Sequence, residues 1–217
     1  QVKTDAKSNE ITAIPELLAI LDVKGCLVSI DAMGCQTAIA STIVKGGGDY
    51  LLAVKGNQPS LHSAVRAALV ESMNKPLTEE TVSIEKQHGR IDGREYHVLP
   101  AGALAEQFPE WKNLKSVGVA ISYRIEKMKK ISMEYRYYIS SAELTPEQFS
   151  SAVRGHWAIE NSLHWVLDVV MNEDACQIYR GDAPQILACT RHMAQNMLRA
   201  ETSRKASLRK KQQFAGM

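Results

Sequence analysis

The chain has 217 residues, a length that suits one domain or a domain with a sizeable insertion. Apolar residues make up 45% and charged residues 23%, which describes a folded globular protein and excludes a disordered or fibrous one. Lys and Arg number 26 against 24 Asp and Glu, a net charge of only +2, so any affinity for nucleic acid must reside in local clusters.

No apolar run approaches the roughly 18 residues of a membrane span. The opening Gln1-Val2-Lys3-Thr4-Asp5 lacks the apolar core of a signal peptide. Cys26, Cys35, Cys176 and Cys189 form no C-x-x-C pair and read as reduced, structural thiols. The expected setting is cytoplasmic, with no membrane partner.

Ile11 to Leu21 carries apolar residues at helical spacing behind a cap region at Ser8-Asn9-Glu10. Gly25 breaks that pattern, and the short apolar run Cys26 to Ile30, ending on Asp31, suits a buried strand. Thr37 to Val44 returns to helix and stops at Gly46-Gly47-Gly48. Tyr50 to Val54 reads as a second buried strand, and a helix follows from Leu61 to about Met73. Helices and strands alternating at this spacing predict an α/β layer with parallel strands.

Thr81 to Ile84, Glu95 to Leu99, Ser116 to Ile125 and Ile131 to Ile139 are β-branched or aromatic stretches, which predict a mostly antiparallel β block. From Thr145-Pro146-Glu147, a good helix start, the pattern is helical again. One long helix is expected over Val153 to Val170 and another from Pro184 to about Glu201. The expected division is residues 1–75 for the first α/β part, 76–142 for the β-rich insertion, 143–200 for the closing helices and 201–217 for a basic tail.

Four candidate sites stand out. Asp31 ends a strand, at the kind of sheet edge where ligands gather in open α/β folds, although an Asp there can equally cap the next helix. Within Val153 to Val170, Ile159, Leu163, Val166 and Val170 form one stripe at helical spacing. Glu160 lies at its edge, with His156 and His164 one turn to either side. Such a ridge is either a satisfied surface network or a His-Glu-His site for zinc or iron.

Lys55, in Lys55-Gly56-Asn57-Gln58, leaves the second strand where it could meet phosphate, or the turn could merely cap a helix. Basic residues gather at Arg90, Arg94, Arg124, Lys127, Lys129 and Lys130. The tail adds Arg199, Arg204, Lys205, Arg209, Lys210 and Lys211. These clusters either hold DNA phosphates or are solvated surface.

Longer motifs narrow these choices. Ser8 to Pro15, Ser29-Ile30-Asp31-Ala32-Met33-Gly34-Cys35-Gln36, Asp49-Tyr50 with Lys55-Gly56-Asn57-Gln58, and His88-Gly89-Arg90 are four of them. Arg154-Gly155-His156-Trp157 with Ile159-Glu160-Asn161, and His164-Trp165 with Leu167-Asp168-Val169, complete the set. Together they resemble bacterial insertion-sequence transposases of the H-repeat-associated group, from about Lys3 to Arg199.

The resemblance implies a DDE-type transposase with an RNase H-like core, incomplete at the N-terminus, and the β insertion placed before the last helices. In that family three carboxylates bind two divalent metals, Mg²⁺ or alternatively Mn²⁺, for DNA strand cleavage and transfer. Asp31 matches the second acid and Glu160 the third. His156, His164 and Lys55 would orient phosphate. Arg90, Arg94, Arg154, Lys205 and Lys210 would contact DNA, both the insertion-sequence ends and the target, with self or an intact transposase as protein partner.

Where the wider superfamily sets Tyr, Arg and Lys around the Glu, this chain has Val153, His156 and Leu167. The family's first acid would precede Gln1, since Asp5 stands in a polar turn region. The resemblance therefore covers the carboxyl-terminal part of such an enzyme and implies a chain that is catalytically incomplete alone. The alternative expectation is an inactive DNA-binding remnant that occupies element ends or associates with intact transposase.

Overall fold

The computed structural model describes residues 10–73, 81–87, 90–126 and 131–216. The chain divides into two compact units, Gln1–Arg154 and Gly155–Met217. The first begins with α1 (Glu10–Ile20), β1 (Leu27–Ile30), α2 (Thr37–Lys45), β2 (Asp49–Val54) and α3 (Pro59–Met73). It continues with β3 (Thr81–Gln87), β4 (Arg90–Pro100), α4 (Ala103–Gln107), β5 (Ser116–Glu126) and β6 (Ser132–Ser140). The helix α5 (Pro146–Ile159) runs through the join between the units.

The strands form one six-stranded mixed sheet in the order β1-β2-β6-β5-β4-β3. As the alternating pattern predicts, β1 and β2 are parallel, with Leu27 opposite Asp49 and Ile30 opposite Leu52. The β block is antiparallel throughout and joins the α/β strands through β2 and β6, where Leu51 faces Ser140 and Val54 faces Tyr137.

Side chains alternate across the pleat, and around β2 both faces are buried. One face carries Tyr50, Leu52, Val54, Val119 and Ile139 against residues of α2 and α3 such as Ile39, Ile43, Leu61 and Val65. The other carries Leu51, Tyr96, Ala120 and Tyr138 beneath Phe149 and Val153 of α5. The Phe149 ring meets Tyr96 and Tyr138 edge to face, with centroids 6.1 and 5.4 Å away. This two-sided burial explains why β2 reads as a nearly continuous apolar run.

Three expectations need correction. The first strand is half-buried rather than buried, with Leu27 36% exposed, because β1 stands at the end of the sheet with one neighbour. The helices α4 and α7 (Leu208–Ala215) were not foreseen. The first is only five residues long and carries no buried residue. The second lies in the segment 201–217, which the sequence marked only as a basic tail.

The long helix over Val153 to Val170 also changes character. It is α-helical to Ile159, then π-helical over Glu160–His164 and Val166–Val170. A π turn bonds i to i+5, so the spacing behind the expected stripe no longer holds. Ile159 is 47% exposed, while the consecutive Val166 and Leu167 are both buried. The second unit closes with α6 (Ala183–Ala200) and α7. Among the described residues no helix is long and apolar enough to cross a membrane.

Candidate metal and nucleic-acid site

Because β1 and β2 are parallel, their carboxyl ends point the same way. Asp31 leaves β1 at this edge and Lys55 leaves β2 beside it. Both side chains are exposed. The Asp31 Oδ1 accepts hydrogen bonds from the N–H groups of Met33 (3.1 Å) and Gly34 (3.3 Å). That closes a tight Asx-type turn in which the second oxygen, Oδ2, takes no hydrogen bond among the described residues.

Gly34 is required by close packing. A Cβ there would lie 2.3 Å from Ile30 Cγ2 and 3.0 Å from Ile14 Cδ1. The turn thus rests directly on β1 and α1.

Two side chains from the turn after β2 reach across to this loop. Asn57 Nδ2 donates to the Ala32 carbonyl (2.6 Å) and Gln58 Nε2 to the Cys35 carbonyl (2.9 Å). Beneath the loop Cys35 is wholly buried. Burial foremost, then the nearby charge of Asp31, pushes its thiol up to about 12, so the sulfur stays protonated and is a poor metal ligand.

Tyr50 is also wholly buried, and its hydroxyl has no hydrogen-bond partner among the described residues. Burial first, then Cys35 and Asp49, raises its pKa. At the far end of β2, Ser141 Oγ donates to Asp49 Oδ1 (2.6 Å) and accepts from the Tyr50 N–H (3.0 Å). Ser140 Oγ donates to the Tyr50 carbonyl (2.7 Å). These bonds fasten β2 to β6 and fix the strand whose other end carries Lys55.

Comparison with known proteins decides the family. Residues 1–197 match the family described as the transposase DDE domain. The chain belongs to that family. It is 50% identical over 223 residues to the "Putative protein YbfL" of Escherichia coli (strain K12), covering 100% of this chain and 59% of the relative. To the "H repeat-associated putative transposase YhhI" of the same strain it is 49% identical, with the same coverage. To the "Putative transposase YncI" of Escherichia coli O157:H7 it is 49% identical over 203 residues, 92% of this chain and 52% of that protein. The chain therefore spans little more than half the length of these relatives, and the likeness to the H-repeat-associated group read from its motifs is borne out.

In this DDE-domain chain Glu160 opens the first π-helical segment of the second unit. Its side chain and that of Arg90 lie outside the described ones, as do His88, Gly89, Lys127, Lys129 and Lys130. His156 is half-buried, with its ring edge-on to Trp157 at 6.1 Å. His164 is exposed. Among the described residues no three His, Cys, Asp or Glu side chains are placed to hold a metal together.

Side chains of α6 fasten the π-helical stretch by its carbonyls. Gln195 Nε2 donates to Ser162 O (3.0 Å), Arg199 donates to the same oxygen, and Arg191 Nε donates to Met171 O (3.3 Å). Arg191 also faces Glu173 at 3.8 Å.

The basic residues sort into two groups. Arg124 is engaged by Asp92 (2.7 Å). Arg204 lies over the Phe214 ring at 4.9 Å. Lys211 donates to the Leu198 carbonyl (3.1 Å) and to the Glu201 carbonyl, capping the end of α6. Lys205, Arg209 and Lys210 are exposed, as is Arg154, while Arg94 is half-buried. The sequence places Lys210 and Lys211 together in the basic tail, with only Lys210 expected on DNA, and gives no sign that Lys211 is held by the end of α6. Asn57 and Gln58 stand in the motif Lys55-Gly56-Asn57-Gln58, but the sequence reading gave a role there to Lys55 alone.

Proposed function

We propose that this chain carries two of the metal-binding carboxylates of a DDE-type DNA transposase, Asp31 and Glu160, on an RNase H-like core. The reaction class is cleavage and transfer of DNA strands. The observation that carries the reading is Asp31. It stands at the carboxyl edge of the parallel pair, its Oδ1 committed to the turn and its Oδ2 left for a cation.

The donor set fits Mg²⁺ or Mn²⁺, which take hard oxygen ligands. The only thiol in the loop, Cys35, is buried and held protonated, so a thiolate-seeking ion such as zinc finds no thiolate there. When bound, the metal pair supplies activation of the attacking oxygen and stabilisation of the leaving one.

The chain's own residues have separate tasks. Asp31 and Glu160 hold the cations. Lys55, beside Asp31 at the sheet edge, together with His156 and His164, orients the scissile phosphate. Arg90, Arg94, Arg154, Lys205 and Lys210 bind the DNA backbone. The partners are insertion-sequence ends and target DNA, with a further copy or an intact transposase completing the assembly.

Titration of the chain with Mn²⁺, followed by electron paramagnetic resonance, tests the metal reading without requiring turnover. Specific binding lost in Asp31→Asn is expected, and binding indifferent to that change overturns it. Alone, lacking the family's first acid, the chain should not nick a plasmid bearing the element ends in the presence of Mg²⁺, and nicking abolished by Asp31→Asn would overturn that incompleteness.

The exposed Lys205, Arg209 and Lys210 favour a second reading, in which the chain binds element ends without cutting them. Salt-dependent binding with no Asp31-dependent metal uptake would select it.

A further inference from the structure

The loop that carries Asp31 is held from outside by the turn after β2. Its two fastened carbonyls, Ala32 O and Cys35 O, bracket Met33 and Gly34, the two residues whose N–H groups hold Asp31 Oδ1. The fasteners come from consecutive residues at the start of a rigid element. The Gln58 carbonyl accepts the first bond of α3, from the His62 N–H (2.9 Å), and the Gln58 N–H donates to Lys55 O (3.0 Å). The amide groups are therefore presented from a fixed base. Within the loop, Cys35 N–H donates to Ala32 O (3.2 Å) and Gln36 Nε2 to Met33 O (3.3 Å), so the carbonyls of Ala32, Met33 and Cys35 are each bonded by a side chain. Gly34 O accepts from the Gln36 N–H (2.9 Å).

We propose that Asn57 and Gln58 are positioning residues that aim the free oxygen of Asp31 at a divalent cation, acting through the Ala32–Cys35 backbone. The assignment rests on the metal-binding reading of Asp31. Ligation tolerates an error of only about 0.5 Å in a donor's place, and a loop tied at both ends keeps that place, whereas a surface turn tied at one end wanders. Neither amide belongs to a hydrophobic cluster, and Asn57 is exposed. Removing both therefore frees the loop without opening the core.

The experiment compares the full chain with Asn57→Ala, Gln58→Ala and the double variant, each with and without Asp31→Asn. It reads melting temperature, hydrogen exchange of the Met33 and Gly34 amides, and Mn²⁺ affinity. The double variant should melt near the parent temperature, exchange those two amides about tenfold faster and bind Mn²⁺ about tenfold more weakly, as expected for the loss of two ordering hydrogen bonds. In the Asp31→Asn background it should cause no further loss. Asp31-dependent Mn²⁺ binding that survives the double variant unchanged overturns the positioning role alone. Mn²⁺ binding that ignores Asp31→Asn overturns the functional reading beneath it. Should the double variant fail to fold, Asn57→Ala by itself, at an exposed side chain, carries the same comparison.

Discussion

The ring of Phe149 lies on the backbone of Gly118, so close that a Cβ on that glycine would stand 2.8 Å from the ring's Cζ. This contact seats α5 on the second face of the sheet. The Phe149 ring also touches Tyr96 and Tyr138 on the neighbouring strands. A flat aromatic residue on a bare stretch of β5 is thus what covers that side of the sheet.

A methyl group at position 118 has nowhere to go unless Phe149 moves. Gly118→Ala should destabilise the chain by about 1–3 kcal/mol, the usual cost of overpacking a filled core. Pairing it with Phe149→Leu, which withdraws the ring, should recover part of the loss. Thermal denaturation of the three variants measures both effects, and additive losses would contradict the contact.

Tyr50 buries a hydroxyl without a partner, a group whose desolvation costs about 1–3 kcal/mol. Tyr50→Phe should therefore leave stability unchanged or raise it. Its pH dependence follows from the same burial. The neutral forms of Tyr50 and Cys35 are favoured in the fold, so above the ordinary thiol value of 9.0 the unfolded chain releases protons that the folded chain keeps. Stability should then fall as pH rises from about 9 towards 12, and the fall should be shallower in Tyr50→Phe. Denaturant midpoints measured across that range check the slope.

Asp31 has two separable duties. Its Oδ1 closes a turn, which an asparagine oxygen can also do, while in the proposed function its charge binds a cation. Asp31→Asn should keep the melting temperature and lose Mn²⁺ binding. Asp31→Ala should lose Mn²⁺ binding and also about 1 kcal/mol of stability, for two unmet N–H groups at a solvated turn. Equal melting temperatures for the two variants would remove the turn-closing role.

Lys210 and Lys211 are neighbours with different tasks. Lys211 caps the carbonyl end of α6, where a cation also meets the negative end of the helix dipole. Lys210 is exposed on α7. Lys210→Ala should weaken DNA binding uniformly across sequences and reduce the salt slope by about one unit, with no change in melting. Lys211→Ala should lower the stability of the second unit by about 0.5–1 kcal/mol through the lost cap. Fluorescence anisotropy at several salt concentrations, beside circular dichroism, distinguishes the pair.

Much of this architecture was legible in one dimension. The apolar runs at 26–30 and 50–54 and the helical spacing around them announced the parallel pair, and the β-branched stretches announced β3 to β6. These signals are local, because burial on both sheet faces forces continuous apolar sequence and burial on one face of a helix forces periodicity. Asp31 could be placed at a strand end for the same reason, and the family through its motifs.

Other features depend on meetings between distant parts of the chain, and no local pattern encodes them. The reach of Asn57 and Gln58 to carbonyls 25 and 23 residues away is one. The joining of both blocks into a single sheet through Leu51 and Ser140 is another. The widening of the helix after Ile159 defeats a reading built on 3.6 residues per turn. Sequence alone determined most of the segments that become strand or helix and placed Asp31 at the end of a strand. Only the tertiary structure decided which side chains hold Asp31 in place and which lysines are already engaged, since a hydrogen bond is fixed by where two groups meet in space.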